Sequence, residues 1–426
     1  MRSTVLLSTL LLVLAGSVAS AAELPEARPK AAGMSAERLD RITALGERYV
    51  AEGKLASVVT MVNRGGRIVH HNAVGTMGAD DPRPVGEDAI FRLYSMTKPI
   101  AAVAALILYE EGAFQLRDPI TKFLPEMANL QVWTPDGPVP VASVPTMQQL
   151  MTHTAGFGYV FTQHPVDEAY RQAQLFGSAD LDAFVAKVAA IPLIDQPGAR
   201  WHYSVSSTLL GAIVERISGM PFGDFLQQRL LDPLDMRDTG FNVPDADLDR
   251  VVTNHYWDAE KQVLNAIPAD APLSLGPTGN TLQAGGTGLF GTIRDYMRFA
   301  EMLRAGGSLG DVRILSPKTV EFMTSNHLFA PGGGTGEAPA LRLGALYSGG
   351  FGFGLGVSVV TSPVEVGVIG SAGEFGWGGA AGTIFWVDPE EDMVVVAMIQ
   401  LMRSPWPLRN ELRVLSNAAL TELAPR

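Results

Sequence analysis

The stretch Phe91-Arg92-Leu93-Tyr94-Ser95-Met96-Thr97-Lys98-Pro99 leads into a run of nine apolar residues, 100–108. Apolar nearly all round, that run predicts a helix buried on every side, and it falls short of the roughly 20 residues needed to cross a bilayer. If the helix starts at Ser95, residues three apart share a face, so the Lys98 amine stands over the Ser95 hydroxyl as a base beside a nucleophile. Pro99 fits this register, because proline is tolerated in a first turn and breaks a helix interior. Ser95 then lies at the helix mouth. There its backbone N–H points outward, able to bind negative charge developing on a substrate oxygen. Taken alone, the tetrapeptide reads better as a serine N-cap, and the rest of the chain has to decide.

A chain of 426 residues with 47% hydrophobic and 18% charged residues can bury a large core. Its formal net charge of -12 and lack of a basic patch argue against nucleic acid and against an anionic membrane surface. Residues 1–21 carry Arg2, an apolar stretch at 5–14 and the small-residue pattern Ala19-Ser20-Ala21, which together predict a secretory signal peptide. The expected mature protein is exported, periplasmic or extracellular, with no membrane anchor after cleavage. With no cysteine there is no disulfide framework, zinc-thiolate site or cysteine nucleophile.

Along the mature chain, 35–52 places Leu39, Ile42, Leu45 and Tyr49 at helical spacing, and 57–63 with 68–74 around Gly65-Gly66 predicts a hairpin. From 95 to about 280 helical patterns dominate, at 181–190, 207–217 and 222–231, with little strand signal. After Gly285, 292–303 reads as a helix and 353–360, 383–387 and 393–400 as strands, with a charged turn at 388–392. A closing amphipathic helix is expected over 407–423, using Leu408, Leu412, Leu415 and Leu423. Strands at both ends with helices between predict an α+β fold. One antiparallel sheet would be built from the two chain ends (about 22–90 and 285–426), with an inserted mainly helical region (about 91–284) and a crevice between them.

Two further stretches strengthen the reading of Ser95. Trp201-His202-Tyr203-Ser204-Val205-Ser206-Ser207 puts a tyrosine on a loop before an apolar helix, and Gly376-Trp377-Gly378-Gly379-Ala380-Ala381-Gly382-Thr383 leads into a strand, where glycines let a substrate approach the backbone. With these in place the sequence resembles the penicillin-recognising serine hydrolases, especially class C β-lactamases and the related family VIII carboxylesterases. Ser95-Met96-Thr97-Lys98 fits the first motif of that family and Tyr203-Ser204-Val205 its tyrosine motif. Trp377-Gly378-Gly379 falls where the β-lactamases carry Lys-Thr-Gly. Leu150-Met151-Thr152-His153-Thr154-Ala155-Gly156 and Gly285-Gly286-Thr287-Gly288-Leu289 look like family framework.

The resemblance implies a β-lactamase/transpeptidase-like fold and an acyl-enzyme on Ser95, with Lys98 and Tyr203 sharing the general-base work. It also implies an oxyanion held by the N–H groups of Ser95 and Ala380, and substrate contacts at Trp377, Gly378 and Gly379. The physics permits that sharing. Lysine and tyrosine titrate near ~10.4 and ~10, and opposite charges about 4 Å apart attract by about 4 kcal/mol at an effective dielectric of ~20, or roughly 3 pKa units. Burial opposes both ionisations, so the two form a coupled pair.

The departures bear on substrate. Trp377 stands where those enzymes place a cation, and Val205 replaces the asparagine of the tyrosine motif, removing an amide donor. Both changes point to a small neutral carboxylic ester, with no cofactor and no metal. A β-lactamase or D-Ala-D-Ala-type peptidase is the alternative enzyme, and a non-catalytic binder of cell-wall fragments the alternative outside catalysis. An aromatic loop at Phe157, Tyr159 and Phe161 is a candidate acyl pocket. Gly306-Gly307-Ser308-Leu309-Gly310 mimics a nucleophile elbow but follows a helix and precedes an extended segment, the reverse of what an elbow needs. His153 and His202 have no aspartate tied to them by sequence and read as structural. Asp245-x-Asp247-x-Asp249 lacks the glycine and final glutamate of a calcium loop.

Overall fold

Every residue of Met393–Met398 is buried, because this strand lies at the middle of the molecule with a core on each face. Val394, Val396 and Met398 enter the larger core, while Met393, Val395 and Ala397 enter the smaller one. The period of two along a strand explains why a doubly covered strand reads as an unbroken apolar run. The computed structural model describes residues 23–268, 271, 274–328 and 349–424; the expected signal peptide lies outside them.

The main sheet comprises β1 (Ser57–Arg64), β2 (Arg67–Gly78), β3 (Asp81–Pro84), β4 (Phe351–Phe353), β5 (Ser358–Val360), β6 (Phe375–Gly378), β7 (Ile384–Asp388) and β8 (Met393–Met398). Their spatial order is β4-β5-β6-β7-β8-β1-β2-β3, and each neighbouring pair is antiparallel. The two chain ends join where β1 pairs β8, with Val59 opposite Met398 and Arg64 opposite Met393.

The longer helices are α1 (Ala36–Ala51), α2 (Thr97–Glu110), α3 (Leu181–Ala189), α4 (Ser206–Ser218), α5 (Ile293–Arg304) and α6 (Leu408–Ala418). On one sheet face α1 packs against α6, burying Leu39, Ile42, Leu45 and Tyr49. The Ser35 side chain caps α1 by accepting from the Arg38 N–H at 3.3 Å. On the other face α5 lies over β7, β8 and β1, and beyond it the helical region is centred on α2, buried from Thr97 to Leu108 and packed on α4. This is the α+β arrangement expected from the sequence, with helices on both sides of one antiparallel sheet.

Three details differ from the sequence reading. The stretch 353–360 is not one strand. It turns at Gly354–Gly356 and pairs back on itself, since the chain must pass close to α2, where a Cβ on Gly356 would stand 2.5 Å from the Ala102 Cβ. A hairpin at His255–Asp258 and Val263–Ala266 escaped notice, because its positions are half-exposed and it is completed by a distant partner, Leu401–Met402, in parallel. The closing helix ends at Ala418, leaving Leu423 70% exposed. The elbow mimic is indeed a turn, with Ser308–Leu309 pairing Val312–Arg313. Among the described residues no helix is long and apolar enough to cross a membrane.

Candidate active site

Ser95 is delivered by a short strained turn. Phe91–Arg92 pairs with Phe290–Gly291, after which Tyr94 takes a left-handed backbone (φ 45°), unusual for a residue with a side chain. Its ring is tied down: the Asn254 Nδ2 donates to the Tyr94 hydroxyl at 2.8 Å, and that hydroxyl donates to the Ser274 carbonyl at 3.3 Å. A 3-10 turn, Tyr94–Met96, follows, and α2 begins at Thr97, two residues later than the register assumed from the sequence. Lys98 still reaches the serine, its Nζ standing 3.2 Å from the Ser95 Oγ and donating to the Gly286 carbonyl at 2.6 Å.

Tyr203 comes from the loop before α4 and donates its hydroxyl to the Ser95 Oγ at 2.6 Å. The Lys98 Nζ lies 4.5 Å from the centre of the Tyr203 ring. The three groups named from the sequence therefore meet at one point. Lys98 is 1% exposed, and burial pushes its pKa well below the usual lysine value. That shift favours the neutral form, which keeps N–H groups for Gly286 and offers a lone pair for the serine proton.

The glycines of the framework segments are there for close approach. A Cβ on Gly286 would lie 2.8 Å from the Thr208 Oγ1, and one on Gly285 would lie 2.6 Å from the Ser207 carbonyl oxygen. A Cβ on Gly379 would lie 2.5 Å from the Leu93 carbonyl oxygen, so this turn after β6 closes directly onto the segment that carries Ser95. Ala380, next in the chain, is exposed.

Trp377 departs from the sequence reading. The resemblance implied a substrate contact at Trp377, yet the indole is 5% exposed, with the Tyr203 ring 5.6 Å and the Phe353 ring 5.3 Å away. Period two along β6 turns residue 377 into the larger core and residue 378 to the opposite side. There Gly378 lies under the Arg409 guanidinium, which would be 2.7 Å from a Cβ. Arg409 was missed from the sequence. It sits in α6 and donates to the Gly379 carbonyl at 2.8 Å, bracing the turn, and no local pattern marks that contact.

His153 is buried, with its Nδ1 2.8 Å from the Ser204 Oγ, and burial holds its pKa well below the usual histidine value. That neutral ring supports the Tyr203 loop. His202 does have an aspartate, contrary to what sequence separation suggested: its Nε2 lies 2.5 Å from the Asp195 Oδ2. The side-chain partners of the Ser95 Oγ are nevertheless Lys98 and Tyr203. Of the aromatic loop, Phe157 and Tyr159 are buried and Phe161 is exposed. Asp245 to Arg250 form a 3-10 helix in which Arg250 pairs with Asp247 and Asp238. Among the described residues no cluster of three or more potential metal ligands occurs.

Comparison with known proteins supplies the family. The profile of the family described as Beta-lactamase matches residues 42–419. Protein Rv1367c of Mycobacterium tuberculosis is 37% identical over 358 residues, covering 82% of this chain and 86% of that protein. Esterase EstB of Burkholderia gladioli is 30% identical over 364 residues, with the same coverage of 82% and 86%. A solved structure described as EstCE1, a hydrolase with promiscuous acyltransferase activity, superposes with a TM-score of 0.75 at 25% identity, covering 91% of this chain and 99% of that one. The chain belongs to the beta-lactamase family.

Proposed function

We propose that this member of the beta-lactamase family is an exported serine carboxylesterase that cleaves small neutral carboxylic esters. The observation that carries it is the Ser95 Oγ held between a buried amine at 3.2 Å and a phenol at 2.6 Å. In the first half-reaction the Ser95 Oγ attacks the ester carbonyl while its proton passes to the Lys98/Tyr203 pair. The N–H groups of Ser95 and Ala380 hold the oxyanion. Collapse expels the alcohol, which takes the proton back through the Tyr203 hydroxyl, and leaves an acyl group on Ser95. Water then attacks the acyl-enzyme with the same pair as base.

Support for an ester substrate comes from the relative EstB, an esterase by name, and from residue 377, an apolar indole where an anion-docking cation would otherwise stand. Arg409 does not restore that cation to the cleft, since it donates to the Gly379 carbonyl at 2.8 Å and to the Thr383 carbonyl at 3.4 Å. Export is supported by the signal-like pattern of residues 1–21. Hydrolysis of short-chain p-nitrophenyl esters by wild type and by Ser95→Ala tests the proposal, and equal rates would sink it. Efficient turnover of a chromogenic cephalosporin or of a D-Ala-D-Ala peptide would assign the site to the alternative substrates. Failure of a fluorophosphonate to label Ser95 would favour a binder.

A further inference from the structure

Beside the Tyr203 phenol the protein holds an apolar ring out in solvent. Phe161 is 52% exposed, yet it is not loosely placed. Its ring lies 4.4 Å from Tyr159 at an interplanar angle of 10° and 6.4 Å from Tyr203 at 14°. Tyr159 itself lies 5.3 Å from Tyr203, again at 10°. The loop that carries Phe161 is fastened from below. The Asp167 carboxylate, 1% exposed, accepts from the Tyr159 N–H at 2.9 Å, the Thr162 N–H at 2.9 Å and the Thr162 hydroxyl at 2.7 Å. The Arg171 guanidinium donates to the Val160 and Thr162 carbonyls at 2.8 and 2.7 Å. Two charged side chains thus fix the backbone on both sides of Phe161, and the exposed aromatic is held in place beside Tyr203.

We infer that Phe161 is a specificity-determining residue that stacks on a flat apolar group in the alcohol half of the ester, such as an aryl or other ring-bearing alcohol. The inference rests on the esterase reading and deepens it. Tyr203 has to hand its proton to the leaving oxygen, so the departing alcohol lies on the side of the phenol. Phe161 is the exposed ring next to that phenol, whereas the oxyanion turn at Gly379–Ala380 lies against Leu93. An exposed ring with one face taken by Tyr159 has its other face to offer, and offset stacking is the arrangement aromatic partners prefer. This moves the aromatic loop from the acyl side, where the sequence placed it, to the alcohol side.

The test uses the full chain and three esters: ethyl acetate, benzyl acetate and ethyl phenylacetate. The first two share an acyl group and have alcohols of similar acidity, while the third moves the ring to the acyl side. In Phe161→Ala the benzyl-to-ethyl acetate ratio of kcat/KM is expected to fall about tenfold, which is about 1.4 kcal/mol, and Phe161→Trp is expected to keep it. The ratio of ethyl phenylacetate to ethyl acetate should stay within about twofold of wild type. If wild type hydrolyses these esters and Phe161→Ala leaves the benzyl ratio unmoved, or lowers the phenylacetate ratio instead, this inference fails and the esterase reading stands. If wild type hydrolyses none of them, both fall together.

Discussion

The Tyr203 hydroxyl stands 2.6 Å from the Ser95 Oγ, although 108 residues of chain separate the two. Lys98 reaches the same oxygen from three residues away on the adjoining turn. One partner of the serine is thus local and the other is brought by the packing of α4 against α2, so they can be removed separately.

Tyr203→Phe deletes only the hydroxyl and keeps the ring that packs on Tyr159 and Trp377. General-base contributions of this kind are worth about 10²- to 10⁴-fold. A loss of kcat in that range is expected for Tyr203→Phe and for Lys98→Met, with thermal unfolding of Tyr203→Phe close to wild type. Wild-type kcat in either variant would remove that residue from the mechanism.

Lys98 also predicts a pH dependence of stability. Its folded pKa is lowered well below 10.5 by burial. Between that lowered value and 10.5 the unfolded chain binds a proton that the native chain has released, so native stability rises with pH through the window. Lys98→Met has no such proton. Wild type should therefore gain stability relative to Lys98→Met as pH rises toward 10.5, read by urea denaturation at a series of pH values. A difference that stays constant with pH would show that Lys98 is not buried as a neutral amine.

Gly379→Ala places a methyl group 2.5 Å from the Leu93 carbonyl oxygen and 2.2 Å from the Thr383 Oγ1. The turn has to retreat from the serine. Misplacement by about 1 Å costs on the order of 10²-fold in rate, so kcat should fall about ten- to a hundredfold while a fluorophosphonate still finds Ser95. Unchanged kcat would mean that the N–H of Ala380 takes no part.

Trp377→Ala removes the indole behind Tyr203 and opens a cavity, for which about 3–5 kcal/mol is the usual cost. The buried position predicts a drop in thermal stability and a fall in kcat greater than the rise in KM, because the phenol loses its backing. Trp377→Phe is expected to restore most of both. A pure KM effect at full stability would return Trp377 to the role of a substrate face.

Ser95 and Lys98 stand three residues apart, so their proximity is local, but the tetrapeptide alone reads as an N-cap and only the other motifs and the resemblance gave the pair its meaning. The apolar run 393–400 read as a strand, and the separation of strand patterns from helical ones revealed a sheet made from both chain ends, while the core on each face of 393–398 came only with the assembled layers. Tyr203 was found only through resemblance, since no rule of spacing links positions 95 and 203.

Other features depended on facts that sequence does not carry. Whether residue 377 faces substrate or core depends on which side of β6 the sheet covers, and the packing of Phe353 and Tyr203 against the indole turned it inward. Arg409 on the Gly379 carbonyl, Asp195 on His202 and the parallel pairing of Leu401 with His255 are contacts between segments distant or unmarked in the chain. Local propensity and periodicity determined the elements and put Ser95 and Lys98 within reach of each other. Only the assembled layers decided which faces were buried and which distant groups met, because burial and long-range contact arise from packing, whose geometry no single stretch contains.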